Sequence, residues 1–316
     1  MVKIYGNLKP EDDLTHPLGP EENFNESVYF NFFDAAKGLG GFVRIGNRAN
    51  EGHAEMTVIV YLPGGASLFN YKRPRIESND SWDAGGLKVD VEVPGERIRT
   101  TYDGSAVYLE DPREMREPSV AFKENPHRRL RLDLVHEGCG PIYGHVADES
   151  SANNFARAHY EQHMRVRGTV QLDDDEPLTL TGNGVRDHSW GPRYWQSTPS
   201  YRWITGNYGD DLGMVISVVG DRIGGVFHRG DELIQVKDVK LDTSYEGITN
   251  YHNGFKAAVT LENGEQHTVE GTVRGFIPLR NRRAGSITHI GEGMTEYLLD
   301  GERVGYGLSE YLDQME

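Results

Sequence analysis

Apolar and polar residues alternate along most of this chain in short runs broken by glycine, and few folds accept that pattern. Leu87–Val93 (LKVDVEV) and Arg129–Val135 (RLRLDLV) alternate residue by residue. A period of two puts Leu130, Leu132 and Leu134 on one face of a strand and Arg129, Arg131 and Asp133 on the other. Met56–Leu62 (MTVIVYL) is a β-branched run of strand length. The 38 glycines among 316 residues sit mostly between such runs, where Pro94-Gly95, Asp103-Gly104, Asn263-Gly264 and Asp300-Gly301 supply turns. The same texture predicts strands over Arg97–Tyr102, Val107–Glu110, Met164–Leu172, Leu178–Leu180 and Tyr201–Tyr208. It continues through Met214–Val219, Arg222–His228, Glu232–Val239, Phe255–Leu261 and His267–Phe276. Helical periodicity is scarce: one short helix is expected over Asp148–Arg157 and a C-terminal turn over Ser309–Met315. Many short strands at regular spacing imply an all-β chain of antiparallel sandwiches or barrels.

The length suits two domains. The acidic stretch Leu172–Pro177 is the best boundary, giving an N-terminal domain over 1–172 and a C-terminal one over 173–316. It also reads as a polar hairpin loop. With 49 acidic and 33 basic residues the net charge is −16. Such a surface repels phosphate backbones and anionic membranes, so nucleic acid and membrane insertion are poor expectations. No apolar run approaches the roughly 20 residues of a membrane span, and the first twelve residues lack an apolar signal core, so the cytoplasm is expected. The single cysteine, Cys139, can form neither an internal disulfide nor a thiolate metal site. A homodimer is compatible with all of this.

Chemistry concentrates in Thr181–Trp195, where Arg186, Asp187, His188 and Arg193 lie among Trp190 and Trp195. Aromatic walls with a few convergent polar groups are what a small-molecule pocket requires. An acid beside an imidazole can raise its pKa and fix its tautomer. Neighbours on a strand nevertheless point to opposite faces, so Asp187 and His188 reach one ligand only if the strand bends or bulges. The competing reading has Asp187 pinning two strands through an arginine.

In Arg157–Arg165 a strand puts His159, Glu161 and His163 on one face and Tyr160, Gln162 and Met164 on the other. A helix would make His159 and His163 a metal-binding pair, but no His-Glu-x-x-His pattern or third ligand accompanies them, and no metal is expected. In Asn25–Asp34, Val28, Phe30 and Phe32 face one way, and Tyr29, Asn31 and Phe33 the other. Glu51, Tyr201 and Trp203 complete the candidate lining. Neither a dinucleotide fingerprint nor a Gly-x-Ser-x-Gly elbow is present.

The stretch Gly182–Arg193 (GNGVRDHSWGPR) resembles the Gly-x-Gly-x-x-Asp-His-x-Trp-Gly signature of the AttH-like and carotenoid hydratase superfamily. NESVYFNFFD, GGFVRIGNRANEG and HYEQHMRVRGTV resemble its uncharacterised bacterial branch. The resemblance implies two lipocalin-like β domains with a ligand cavity where they meet. It also implies chemistry without metal or redox cofactor on greasy polyenes, as in carotenoid hydratases and fungal Diels–Alderases. The family's Asp, His and Trp fall on Asp187, His188 and Trp190. Val185-Arg186 replaces the aromatic and His of the carotenoid branch, which argues for a shorter substrate such as a terpenoid, steroid fragment or polyketide.

The expected function is therefore a cofactor-independent lyase or isomerase: a hydratase, dehydratase or double-bond isomerase acting on an apolar isoprenoid-like molecule. Asp187 would be the acid/base, His188 its partner, and Arg186 and Arg193 would set the site's charge. Trp190, Trp195 and Trp203 would shield a cationic intermediate. Tyr29, Glu51, Glu161, Tyr201 and His163 would line the remainder. A lipocalin-like carrier without turnover and a pericyclase are the alternatives.

Overall fold

The structure is a computed structural model that describes residues 2–147, 157–193, 198–283 and 285–315. The first twelve strands are β1 (Ile4–Tyr5), β2 (Phe24–Asp34), β3 (Leu39–Arg48), β4 (His53–Tyr61), β5 (Ser67–Lys72), β6 (Trp82–Ala84), β7 (Leu87–Val93), β8 (Arg97–Leu109), β9 (His127–Gly138), β10 (Ile142–Val146), β11 (Ala158–Leu172) and β12 (Leu178–Pro192). They form one twelve-stranded sheet. The remaining strands are β13 (Ser200–Asn207), β14 (Leu212–Val219), β15 (Arg222–Arg229), β16 (Glu232–Tyr245), β17 (His252–Leu261), β18 (Gln266–Arg283), β19 (Ser286–Leu299) and β20 (Arg303–Met315). Each pairs with the next, and β20 returns to β13 to close a barrel. One short α-helix, Pro118–Glu124, lies between β8 and β9. No helix among the described residues is long and apolar enough to cross a membrane.

The first sheet also curls on itself. Along β11, residues 158–161 pair with β10, while 164–172 pair with β9. Since β9 also pairs with β8, hydrogen bonding runs β11-β12-β2-β3-β4-β5-β8-β9 and back to β11. This ring has an apolar interior containing Val28, Phe30, Phe32, Ile45, Met56, Val58, Leu130, Leu132 and Leu134, as the alternation predicts. The other face of the same strands, with Tyr29, Phe33, Phe42, Ile59 and Tyr61, packs on Ile277 and Leu308 of the barrel. Strand β2 is consequently buried at all eleven positions.

Two sequence expectations change. A C-terminal domain starting at 173 and carrying the motif does not match the strand pairing, because β12 sits in the first ring between β11 and β2. Leu172–Pro177 is the hairpin loop joining β11 to β12, and the change of sheet falls between Pro192 and Ser200. Ser309–Met315 is strand, since the barrel closes only if β20 pairs with both β13 and β19. The helix expected over Asp148–Arg157 lies, Arg157 apart, outside the described residues.

The two glycines opening the motif have a packing reason. A Cβ on Gly182 would lie 1.8 Å from the Phe33 carbonyl oxygen, and one on Gly184 would lie 1.9 Å from that of Asn31. There the Asn31 side chain accepts a hydrogen bond from Val185 N at 2.6 Å and donates to Thr205 Oγ1 in the barrel at 3.2 Å. Gly184→Ala should force β12 off β2 and destabilise the protein by about 1–3 kcal/mol, measured by chemical denaturation.

Candidate functional site

Strand β12 distributes the motif between two environments. Arg186, His188 and Trp190 turn into the end of the first ring, and Asp187 turns out toward the barrel. The inward group forms a closed polar network beneath the N-terminal 3₁₀ turn Pro10–Asp13. Arg186 Nη1 donates to Asp13 at 2.5 Å and to Tyr160 Oη at 2.9 Å, and its Nε donates to Gln162 Oε1 at 2.8 Å. His188 Nε2 meets Glu26 Oε1 at 2.5 Å, and its Nδ1 meets Tyr160 Oη at 3.1 Å. His16 Nδ1 reaches the same Glu26 oxygen at 3.0 Å, and its ring stacks on Trp190 at 3.8 Å. Burial alone would raise the Glu26 and Asp13 carboxyls. The histidines around Glu26 and the guanidinium beside Asp13 outweigh it and hold both below the usual range.

The outward face builds a different site from two cross-strand rows that face each other. On the first sheet, neighbouring strands align Tyr143, Glu161, Asp187, Tyr29 and Arg44. On the barrel they align Trp203, Glu310, Glu292 and Ile277. The rows interlock: Trp203 Nε1 donates to Glu161 Oε1 at 2.6 Å, and the Trp203 ring stands edge-on to Tyr29 at 5.3 Å. Tyr61 Oη donates to the Glu292 backbone carbonyl at 3.0 Å.

Charge in this seam is arranged in opposition. Asp187 pairs with His159, not with His188, and Glu161 lies 3.9 Å from the same imidazole nitrogen. Burial works against a charged His159, but Asp187 and Glu161 raise it to about 9. Burial likewise opposes a charged Asp187, yet His159 keeps it below the usual range. The barrel carboxyls go the other way. Burial, with Asp187 nearby, pushes Glu310 up to about 7, and burial pushes Glu292 up to about 8. Tyr201 Oη donates to Glu310 Oε1. An ionised acid–imidazole pair thus faces two carboxyls that keep or exchange a proton near neutrality.

The sequence candidates therefore separate. Asp187, Glu161, Tyr29, Tyr201 and Trp203 meet at the seam, and Arg193 weighs on the ionisation of Asp187 from its edge. Arg186, His188 and Trp190 belong to the inward network, which corrects the expectation of an Asp187–His188 unit: no bulge turns the two side chains to one face. His163 packs against His228 at 4.5 Å, away from Asp187. Glu51 pairs with Arg48 at 2.6 Å in the β3–β4 connection. Trp195 lies outside the described residues. Sequence reasoning missed His159 as the partner of Asp187, and missed Glu310 and Glu292. The available signal was a glutamate amid apolar positions in Leu308–Leu312, hidden by reading that segment as a turn.

Two sets of ligand-type side chains converge within 4.8 Å among the described residues: His16, Glu26 and His188, and His159, Glu161 and Asp187. Nitrogen–carboxylate sets of this kind are the ones able to hold a divalent transition ion.

Two closed antiparallel β structures meeting at an acid–base seam define an all-β, lipocalin-like class of protein. The chain belongs to the family described as a domain of unknown function, DUF7064, which matches residues 9–315. No curated protein matches it. Among solved structures it is similar to an AttH-like protein of Nitrosomonas europaea, at 13% identity and a TM-score of 0.61, covering 97% of this chain and 96% of that one. It is similar to kievitone hydratase of Nectria haematococca, at 10% identity and a TM-score of 0.58, covering 91% and 88%. CghA matches at 10% identity and a TM-score of 0.54, covering 96% and 94%. At these identities the likeness is one of fold.

The inward network should govern acid stability. Glu26 and Asp13 have lowered folded pKa values, so their contribution is complete above the unfolded carboxylate range and disappears as pH falls through the folded values. Asp13→Ala leaves Arg186 buried and uncompensated and should cost about 3–5 kcal/mol. Asp187→Asn, at a half-buried site, should cost much less. Denaturation of both variants at pH 7 and pH 4 checks this order.

Proposed function

We propose that this chain is a hydro-lyase or double-bond isomerase that moves protons to and from an apolar, isoprenoid-like molecule held at the seam. The observation that carries this reading is the Glu310 carboxyl at about 7 beside the Asp187–His159 pair. A general acid is most effective when its pKa lies near the working pH, and here a base stands close by. The likeness in fold to kievitone hydratase supports the same class of chemistry.

In the forward direction the Glu310 proton goes to one carbon of a double bond. Water adds to the other carbon, and its proton passes to Asp187, which His159 keeps oriented. Asp187 then returns a proton to Glu310, so one water is added and both acids are restored. Loss of water is the reverse, and loss of a different proton moves the double bond. The Trp203 and Tyr29 rings present π faces to developing positive charge. His188 and Arg186 act as a brace that holds β12, and so Asp187, in place.

A screen of terpene alcohols and their dehydrated counterparts tests the reading. Asp187→Asn and Glu310→Gln should each lower kcat by about 10²- to 10⁴-fold while substrate still binds. The hydration rate should fall as pH rises through about 7, where Glu310, held up mainly by burial with Asp187 adding and Arg44 and Arg193 opposing, gives up its proton. Release of every bound compound unchanged would mark a carrier. A rate that responds to Trp203→Ala but not to Asp187→Asn would mark catalysis by shape.

A further inference from the structure

Three side chains far apart in sequence converge beneath the N-terminal turn. His16 lies on the irregular segment between Pro10–Asp13 and β2, Glu26 on β2 and His188 on β12. One ligand-type atom of each lies within 4.8 Å of the others. His16 Nδ1 and His188 Nε2 stand 3.0 and 2.5 Å from the same oxygen, Glu26 Oε1. Glu26 and His188 are buried, while the His16 side chain is 18% exposed and so opens the group to solvent on one side. Aromatic rings cover the rest: Trp190 stacks on His16 at 3.8 Å, and Trp82 stands edge-on to His188 at 5.2 Å.

The surrounding hydrogen bonds fix which nitrogen His188 presents. An ionised Asp13 only accepts, so the Tyr160 hydroxyl gives its single proton to Asp13, and Arg186 Nη1 donates to the same hydroxyl oxygen at 2.9 Å. The contact of His188 Nδ1 with Tyr160 Oη at 3.1 Å is then a donation from the imidazole, which leaves Nε2 aimed at Glu26. His16 repeats the arrangement. Its Nδ1 faces Glu26, and its Nε2 lies 3.6 Å from Asp12 Oδ1, whose partner oxygen accepts from Lys9 N at 2.9 Å. The second oxygen of Glu26 accepts from His16 N at 3.2 Å and from Asn79 Nδ2 at 3.4 Å. Histidines that ligate metals hold their outer nitrogen on an oxygen in this way, and the ligating carboxylate is held in turn. The seam set of His159, Glu161 and Asp187 supplies a single imidazole.

We propose that His16, Glu26 and His188 bind one divalent transition-metal ion of the zinc type, which fastens the N-terminal segment to β2 and β12. Two imidazole nitrogens and a carboxylate are a ligand set zinc accepts, with water in the fourth position, here on the open side of His16. With metal–ligand bonds of about 2.0–2.1 Å, neighbouring ligand atoms of a tetrahedral ion stand roughly 3.3 Å apart. His16 Nδ1 is already close to that distance from Glu26, and His188 Nε2 has to draw back by less than about 1 Å, which side-chain torsions supply. The ion takes the place of the proton that otherwise joins His188 to Glu26, and that proton leaves to solvent, so no separate void is required. The Glu26 carboxylate and the nearby Asp12 carboxylate offset the two charges of the ion. The site lies on the face of β12 opposite Asp187 and does not depend on the chemistry of the seam.

The probe is Zn²⁺, titrated by calorimetry at pH 7 into the full chain, free of any histidine tag and stripped beforehand with a chelator. One ion per chain should bind with a Kd of about 1 μM or tighter and raise the Tm. His16→Phe keeps a ring on Trp190 but removes the nitrogen, and it should weaken Zn²⁺ by at least about 10- to 100-fold and abolish the gain in Tm. His16→Cys should recover binding and, with Co²⁺ in place of Zn²⁺, add a near-ultraviolet thiolate-to-metal band that the wild type lacks. His159→Gln, in the seam, should leave uptake unchanged. Absence of one-to-one uptake, or uptake indifferent to His16→Phe, overturns the site. Uptake that survives His16→Phe but is lost with His159→Gln puts the ion in the seam and overturns it as well. Should His16→Phe prove too unstable to titrate, a folded His16→Cys without the thiolate band overturns the site, and the band's presence supports it.

Discussion

Strand β12 is shared by two interiors. One face looks into the first ring and the other onto the barrel, so a period of two sends successive motif residues into unrelated surroundings. Arg186, His188 and Trp190 enter a sealed network with Glu26, Asp13, His16 and Tyr160. Asp187 enters the seam with His159 and Glu161. The two groups are adjacent in sequence yet separated by the sheet itself, and this separation shapes the chemistry on both sides.

The two faces solve the cost of burying charge in opposite ways. Inside the ring, acids, bases and hydroxyls are matched, and Glu26 and Asp13 stay ionised because cationic or proton-donating partners surround them. In the seam the matching stops short. Asp187 has a partner, while the Glu292 Oε2 has none among the described residues, and burial drives Glu292 and Glu310 toward their neutral forms. A fold that satisfies one buried cluster and leaves the next unsatisfied is spending stability on the second, which is where local consistency is expected to fail in favour of function.

Much of the fold was legible because alternation is a local property. Leu130, Leu132 and Leu134 share the ring interior, and Val28, Phe30 and Phe32 separate from Tyr29, Asn31 and Phe33, as period two requires. The segment Ser309–Met315 was misread because its pairing partners, β13 and β19, are remote or follow an ambiguous turn-rich stretch. The sheet membership of β12 was misread for a related reason: an acidic loop looks the same whether it joins two strands of one sheet or two separate bodies. The site was half legible. Asp187, Glu161, Tyr29, Tyr201 and Trp203 do gather, but His159, Glu310 and Glu292 were found only through pairing across strands.

By itself the sequence determined that the chain is β-structured, where most strands run, and which residues of a strand share a face, since these follow from backbone geometry and turn chemistry over a few residues. It also placed Asp187 and His188 on opposite faces. Only the tertiary structure decided which face meets which environment. Packing the barrel against the ring turned one set of alternate positions into a desolvated seam, where desolvation by distant strands raises Glu310 and Glu292 while the pairing of Asp187 with His159 overrides it and keeps those two charged.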